Sequence, residues 1–317
     1  MKRALITGAA GFVGSHLSQH LTASGIEVYG LIHPGHSPQH TKSLEKKIKI
    51  IKCDILRKKD LENILKNQDF EYIFHLAAFS SPPQSFLNPK ETLENNIIGE
   101  LNLLEILSQI KSNAKILIVG SADEYGAVQR KYLPIKENTP LAPRSPYAVS
   151  KVAQDLLGLQ YYLRYKLNTI RVRPFNHIGP GQSKVFVVPA FASQIAKLEK
   201  AGGGEILVGN LDSWRDFTDV RDMVKAYLLA LEKGNPGDVY NIGSGKAYKI
   251  ADILKELISF SKVEIKVKLD PKLMRDMDIE KISCDFSKFQ KQTGWYPQIP
   301  IAKTLFDTIE YERDMVK

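Results

Sequence analysis

With only two cysteines, Cys53 and Cys284, among its 317 residues, the chain offers neither a disulfide framework nor a cysteine-based metal cluster. The two are read as reduced core thiols, and no metal is expected. No apolar run approaches the roughly 20 residues that a membrane-spanning helix needs. The basic start, Met1-Lys2-Arg3, is followed by an apolar stretch that breaks at Thr7-Gly8, too short for a signal peptide. Internal repeats and low-complexity linkers are missing as well. These absences exclude secreted and membrane classes and leave a soluble, cytoplasmic protein with no membrane partner as the expectation.

What is present is core material: 43% of the residues are hydrophobic, and a prior of about 150 residues per domain divides such a length into two domains. The formal charge is +9, with much of the excess between Lys42 and Lys66. There Lys46, Lys47, Lys49, Lys52, Arg57, Lys58 and Lys59 are interrupted by Glu45, Asp54, Asp60 and Glu62. Mixed signs at that density describe a solvated face, so no nucleic-acid partner is expected. The positive potential would instead steer a small anion such as a nucleotide sugar.

Strand-like and helix-like stretches alternate, the pattern of a parallel sheet covered on both faces. Ala4–Ile6, Glu27–Ile32, Ile48–Lys52, Tyr72–Leu76, Lys115–Val119 and Thr169–Arg173 read as strands. Val13–Ser24, Leu61–Lys66, Leu93–Ile110 and Ala148–Tyr165 read as helices. The expected fold is α/β, a doubly wound, mostly parallel Rossmann sheet with a smaller, discontinuous α/β domain for substrate. After Asn176 glycines, prolines and loops dominate, and Asp238–Ile242 reads as a strand that returns to the main sheet. The division is therefore 1–175 plus about 212–245 for the dinucleotide half, and about 176–211 plus 246–317 for the other.

Thr7-Gly8-Ala9-Ala10-Gly11-Phe12-Val13-Gly14 turns the first strand into a helix through three glycines. Gly8 permits the tight turn, Gly11 lets the backbone approach a pyrophosphate, and Gly14 lets the helix pack on its strand. The spacing is G-x-x-G-x-x-G, which departs from the dinucleotide fingerprint G-x-G-x-x-G. At the end of the second strand, where NAD-binding chains carry a carboxylate about 20 residues past the glycines, the sequence gives Leu31-Ile32-His33-Pro34-Gly35-His36. The missing carboxylate favours NADP(H) over NAD(H). His33 is either a cofactor contact or an ordinary loop residue, and Asp54 either accepts from the adenine amino group or caps a helix.

Tyr147-Ala148-Val149-Ser150-Lys151 places a phenol and an ammonium four residues apart, on one face of a helix. An adjacent ammonium stabilises phenolate and lowers a phenol pKa from near 10 toward the range useful for acid–base work.

The order of these motifs resembles the extended short-chain dehydrogenase/reductase family, whose members act on nucleotide sugars. The matching pieces are the glycine turn, His75-Leu76-Ala77-Ala78, Asn96-Ile97-Ile98-Gly99, Gly120-Ser121-Ala122-Asp123-Glu124-Tyr125-Gly126, and Tyr147 with Lys151. The resemblance covers essentially the whole chain. It implies a catalytic set of Ser121, Asp123, Tyr147 and Lys151: Tyr147 as acid–base residue, Lys151 lowering its pKa and holding the nicotinamide ribose, Ser121 bonding the reacting sugar oxygen. It implies that Gly8, Gly11, Phe12, Val13, Gly14, His33, Asp54, Ile55, Leu76, Ala77, Ala78 and Asn96 surround the cofactor with Tyr147 and Lys151. It also implies a homodimer paired through Leu93–Ile110 and Ala148–Tyr165, although these could equally be ordinary sheet-covering helices.

The segments Arg173–Gln182 and Val208–Val220 are similar to those of family reductases that act on GDP-4-keto-6-deoxy-D-mannose, and the G-N-L-x-x-x-R-D string also resembles GDP-mannose 4,6-dehydratases. A GDP-sugar substrate is implied, bound by Ser121, Asn176, Asn210, Arg215 and Arg275. Each arginine either grips phosphate or makes a structural ion pair, and His177 is read as packed or backbone-bonded.

Family dehydratases carry Thr/Ser-(Asp/Ser)-Glu, in which the middle residue helps protonate the leaving hydroxyl and the Glu removes a proton. Here Ala122 and Asp123 fill those slots; alanine donates no proton, and Asp is about 1.5 Å shorter than Glu. Glu124 follows, on a segment expected to be near-extended and to point it to the opposite face. Elimination is disfavoured, and the expected reaction is C4-ketone reduction to GDP-D-rhamnose. The alternatives are a 4,6-dehydratase, a 4-epimerase suggested by the Ser121-Ala122 pair, and, more remotely, a non-catalytic nucleotide-binding protein.

Overall fold

The computed structural model describes residues 1–35, 47–274 and 279–316; His36 and Arg275 lie outside the described residues. In chain order the strands are β1 Arg3–Thr7, β2 Glu27–Ile32, β3 Lys49–Lys52, β4 Tyr72–His75, β5 Lys115–Val119, β6 Asn168–Pro174, β7 Asn176–Ile178, β8 Gly204–Val208, β9 Trp214–Asp219, β10 Val239–Ile242, β11 Ala247–Lys249 and β12 Ile265–Leu269.

Apolar runs without alternation belong in a sheet buried on both faces. In β5, Ile116, Leu117 and Ile118 are all fully buried although they point alternately to opposite faces. The large sheet has the order β3-β2-β1-β4-β5-β6-β10, with every ladder parallel. The strand order reverses between β1 and β4, which opens a crevice at their carboxyl ends. One face is covered by helices Phe12–Ala23 and Val220–Lys233, whose Leu17, Leu21, Met223 and Tyr227 pack on Ile6 and Phe74. The other is covered by helices Gly99–Gln109 and Pro146–Tyr165 through Leu103, Leu107 and Tyr161. Cys53 and Cys284 are buried free thiols. No helix among the described residues is long and apolar enough to cross a membrane.

Two boundaries differ from the sequence expectation. The stretch expected as one helix, Leu93–Ile110, is a short helix Pro89–Leu93, a π-helical turn Glu94–Ile98 and a helix Gly99–Gln109. The wider turn carries Asn96 inward, a local distortion of the kind often found at functional sites. Second, β9 lies with the small sheet, parallel to β7 and antiparallel to β11, although the sequence division placed residues from about 212 with the large sheet. Phe217 on β9 is buried with Ile178, Val188 and Phe191 in the core of the smaller half, and the chain returns to the large sheet only with helix Val220–Lys233. Strand β10 then pairs with β6, as Asp238–Ile242 suggested.

Candidate active site

The glycine turn leaves β1 with Gly8 at φ +72°, and a Cβ there would stand 3.0 Å from the Ala77 backbone. A Cβ on Gly14 would stand 2.3 Å from the Gly8 carbonyl oxygen, so helix Phe12–Ala23 can sit this close only with glycine. Its N-cap is Gly11, with no side-chain cap and no acidic residue in the first turn. The first backbone N–H groups and the positive end of the helix dipole therefore face the crevice, and the cradle fits a pyrophosphate. Across the crevice, Thr7 Oγ1 accepts the N–H of Leu76 and of Ala77, each at 3.1 Å, which pins Leu76-Ala77 beside Gly8. With its lone pairs used, Thr7 donates its proton to His75 Nδ1 at 2.9 Å, leaving the His75 proton on Nε2.

His33 and Asp54 meet at the ends of β2 and β3, with His33 Nε2 3.8 Å from Asp54 Oδ2. Asp54 Oδ1 accepts the Leu56 N–H at 2.9 Å, so this carboxylate caps the local turn with one oxygen and turns the other toward His33. His33 Nδ1 accepts the Gly35 N–H at 3.1 Å. Ile55 is buried, and Asn102 holds its carbonyl at 3.0 Å. Asn96, expected at the cofactor, is held by its own side-chain bonds to the protein. Its Nδ2 donates to Ser150 Oγ at 2.9 Å and to Phe79 O at 3.1 Å, while its Oδ1 accepts the Phe79 N–H at 2.8 Å. It orders the loop after β4 against the Tyr147 helix.

Helix Pro146–Tyr165 starts under a Ser145 cap with Pro146 in its first turn, which is why it begins before the expected Ala148. Tyr147 and Lys151 are buried on its inner face, and Tyr147 shares a hydrogen bond with Ser121. Burial first, and then the nearby Asp123 carboxylate, push the phenol pKa up. This corrects the expectation that Lys151 lowers it. The ammonium donates to Val119 O at 2.8 Å and lies 5.9 Å from the centre of the phenol ring. Burial pulls Lys151 down to about 8 against the opposing charges of Glu100 and Glu124.

The segment after Ser121 is a 3₁₀ turn, Ala122–Tyr125, and not extended as expected. Ser121 Oγ accepts the Asp123 N–H at 3.1 Å, while Glu124 Oε1 reaches back to accept the Ser121 N–H at 2.7 Å, a reciprocal capping box. Glu124 is thus turned away from Tyr147, as anticipated, but by capping and by an ion pair of 3.0 Å to Arg173. Burial and Asp155 raise its pKa. Asp155, four residues beyond Lys151, binds Arg171 at 3.0 Å and Arg173 at 2.7 Å through a single oxygen. Sequence reasoning passed over this buried network. Its signal was two arginines at alternating positions of β6, flanking Val172.

In the smaller half, Asn176 is exposed on β7, opposite Phe217 of β9. Asn210 Oδ1 accepts the Asp212 N–H at 2.9 Å. Arg215 donates to Trp214 O at 3.0 Å and Ile279 O at 2.7 Å. Next to it, Asp216 went unread in the sequence. It is fully buried and accepts N–H bonds from Ser244, Gly245 and Cys284 at 2.8–2.9 Å, tying two loops to β9. His177 is backbone-bonded, Nδ1 to Phe175 O at 3.2 Å, and stacks on Phe12 with ring centroids 6.2 Å apart. His16 Nε2 bonds Pro180 O at 2.9 Å, so the loop after β7 rests on the helix of the glycine turn.

A sequence profile described as GDP-mannose 4,6 dehydratase matches residues 5–308. The chain belongs to that family. Within it, the chain is 35% identical to a GDP-6-deoxy-D-mannose reductase of Pseudomonas aeruginosa, over 96% of this chain and 95% of the relative. It is 25% identical to a GDP-mannose 4,6-dehydratase of Yersinia enterocolitica, over 100% and 95% of the two chains. Among solved structures, RMD from Pseudomonas aeruginosa complexed with NADPH superposes with a TM-score of 0.86 at 33% identity, covering 99% of this chain and 100% of that one. A Thermotoga maritima UDP-glucose 4-epimerase with UDP-glucose gives 0.89 at 28% identity, covering 99% and 100%. The parallel sheet with its helices is the fold of the extended short-chain dehydrogenases/reductases.

For a chain of the GDP-mannose 4,6-dehydratase family, the surroundings of Tyr147 are poor in groups for elimination. Ala122 is buried and apolar, and Glu124 is committed to Ser121 and Arg173. What remains beside the phenol is a hydroxyl, an ammonium and the shorter carboxylate of Asp123.

Proposed function

We propose that the chain reduces the C4 ketone of GDP-4-keto-6-deoxy-D-mannose with NADPH, giving GDP-D-rhamnose. The observation that carries this reading is the turn after Ser121, where Ala122 and the sequestered Glu124 leave proton donation by Tyr147 as the supported chemistry. The similarity to a GDP-6-deoxy-D-mannose reductase supports the same substrate.

The uncapped helix N-terminus at Gly11 binds the pyrophosphate, with Leu76-Ala77 forming the facing wall. The reduced nicotinamide cofactor supplies the hydride. Lys151 orients the nicotinamide ribose through its ammonium, and Ser121 and Tyr147 hold the sugar's C4 oxygen. Burial keeps the Tyr147 phenol protonated at neutral pH, the state a donor requires. As negative charge grows on the C4 oxygen, an alkoxide more basic than phenolate draws the proton from Tyr147. The nearby Asp123 carboxylate disfavours the phenolate and so favours its reprotonation. In the smaller half, Asn176, Asn210 and Arg215 take the GDP-sugar.

NADPH is preferred to NADH because β2 ends without a carboxylate to receive a ribose 2′-hydroxyl, offering His33 beside Asp54 instead. The protein works in the cytoplasm as a homodimer. Val149, Leu156 and Leu163, seven residues apart on one face of the Tyr147 helix, are 45%, 50% and 59% exposed, and a second copy covers that stripe.

A cofactor-oxidation assay with purified GDP-4-keto-6-deoxymannose tests the reaction, comparing NADPH with NADH and including GDP-mannose as a dehydratase control. Oxidised cofactor should accumulate mole for mole with consumed ketone, with no reaction on GDP-mannose. A second reading, 4-epimerase, is favoured by the Ser121-Ala122 pair and predicts interconversion of C4 epimers without net oxidation.

A further inference from the structure

Glu124 is more than a carboxylate withdrawn from elimination, because the chain around it is shaped to hold it against Ser121. Gly120 makes the room: a Cβ there would stand 2.1 Å from Glu124 Oε1 and 3.2 Å from the Val172 carbonyl oxygen. The Glu124 main chain is tied down as well, its N–H donating to Ser121 O at 3.2 Å and its carbonyl accepting the Ala142 N–H at 2.9 Å. At the end of the side chain, Oε2 lies 3.0 Å from Arg173 Nε. Arg173 is itself fixed, by Asp155 Oδ2 at 2.7 Å, Tyr125 Oη at 2.9 Å and Glu137 O at 3.2 Å, and Tyr125 passes its own proton to Asn241 Oδ1 at 2.7 Å. The carboxyl is thus braced from β6, from β10 and from the Tyr147 helix. Its other oxygen, Oε1, accepts the Ser121 N–H at 2.7 Å. Ser121 Oγ in turn accepts the Asp123 N–H at 3.1 Å, which occupies a lone pair and leaves the hydroxyl proton for the crevice, where Tyr147 stands.

We propose that Glu124 is a positioning residue for Ser121: braced by Arg173 and admitted by Gly120, it locks the Ser121 main chain so that the hydroxyl aims at the C4 oxygen of the sugar beside Tyr147. The proposal rests on the reading of Ser121 as a donor to that oxygen. A serine free to turn populates rotamers that point away from the ketone, and a reacting geometry displaced by about 1 Å can cost about a hundredfold in rate. Glu124 is fully buried and acts through Ser121 alone.

The test is a double-mutant cycle on kcat for the ketone at saturating NADPH. Glu124→Leu removes the acceptor at similar size, and Arg173 keeps Asp155 as its anion. It should lower kcat about tenfold, with NADPH affinity within about twofold. Ser121→Ala alone should lower kcat at least as far, and once that hydroxyl is gone Glu124→Leu should cost less than about a further twofold. Glu124→Gln keeps an oxygen for the Ser121 N–H and should hold kcat within about threefold of wild type. Gly120→Ala should reproduce the loss, because its Cβ displaces Oε1 without removing a charge, and it carries the same cycle should Glu124→Leu not fold. Equal losses with and without the Ser121 hydroxyl overturn the proposal, since Glu124 would then serve the fold alone. A folded Glu124→Leu with wild-type kcat, or a Glu124→Gln as slow as Glu124→Leu, overturns it too. Should Ser121→Ala itself keep wild-type kcat, the reading of Ser121 fails first and takes the proposal with it.

Discussion

Around the carboxyl ends of β1, β4 and β5, polar side chains are buried and bonded to one another. Around β7 and β9, the polar groups assigned to substrate stand at or near the surface, with Asn210 and Arg215 engaging backbone. In the first region Thr7, His75, Asn96, Glu124, Asp155 and Arg173 are all buried, and each has a side-chain or backbone partner. In the second, Asn176 is exposed and Asn210 and Arg215 are half-buried. A reacting group needs fixed geometry and a tuned charge, which burial provides at the cost of balancing every charge. A group that grips a large, charged ligand must be open to it before the ligand arrives.

If the buried region is the reaction centre, Tyr147→Phe should remove the proton donor and cut kcat about a thousandfold or more, with cofactor affinity within about twofold by fluorescence titration. Unchanged turnover would place the chemistry elsewhere. Arg173→Met strikes the same region through its charge balance, leaving Glu124 and Asp155 short of a cation. It should cost about 3–5 kcal/mol in urea unfolding, because an uncompensated buried charge is worse than none. A loss under 1 kcal/mol would mean that the network is dispensable for stability. Arg215→Ala should sharpen the contrast from the other side, raising KM for the GDP-sugar about 10- to 100-fold with kcat and unfolding midpoint little changed. A fall in stability instead would make Arg215 a structural residue like Arg173. The smallest effect on activity is expected from Leu156→Glu with Leu163→Glu, which should shift sedimentation from dimer to monomer and leave the kcat of the folded chain within a few-fold.

The sheet was legible because its central strands are apolar on both faces, while the Ser145 cap that starts the Tyr147 helix was not read. The glycine turn and the Tyr147–Lys151 pair were legible because their chemistry is local in sequence. The charge cluster was not, since Glu124, Asp155 and Arg173 are brought together by three separate elements, and none of them points to the others in sequence. The direction of the Tyr147 pKa shift was missed for the same reason: spacing on a helix reveals a neighbouring ammonium but not the depth of burial. The place of β9 depended on Phe217 and Asp216 packing into the smaller half, contacts with residues distant in the chain.

Hydride transfer to C4 is tested most directly by following isotope. The chain would be supplied with GDP-4-keto-6-deoxy-D-mannose and NADPH deuterated on the transferring face of the nicotinamide, and the product sugar examined by NMR. One deuterium at C4 of GDP-D-rhamnose, with one oxidised cofactor per sugar, is the result this account predicts. A C4 position free of deuterium, with epimers interconverted and the cofactor left reduced, would contradict it.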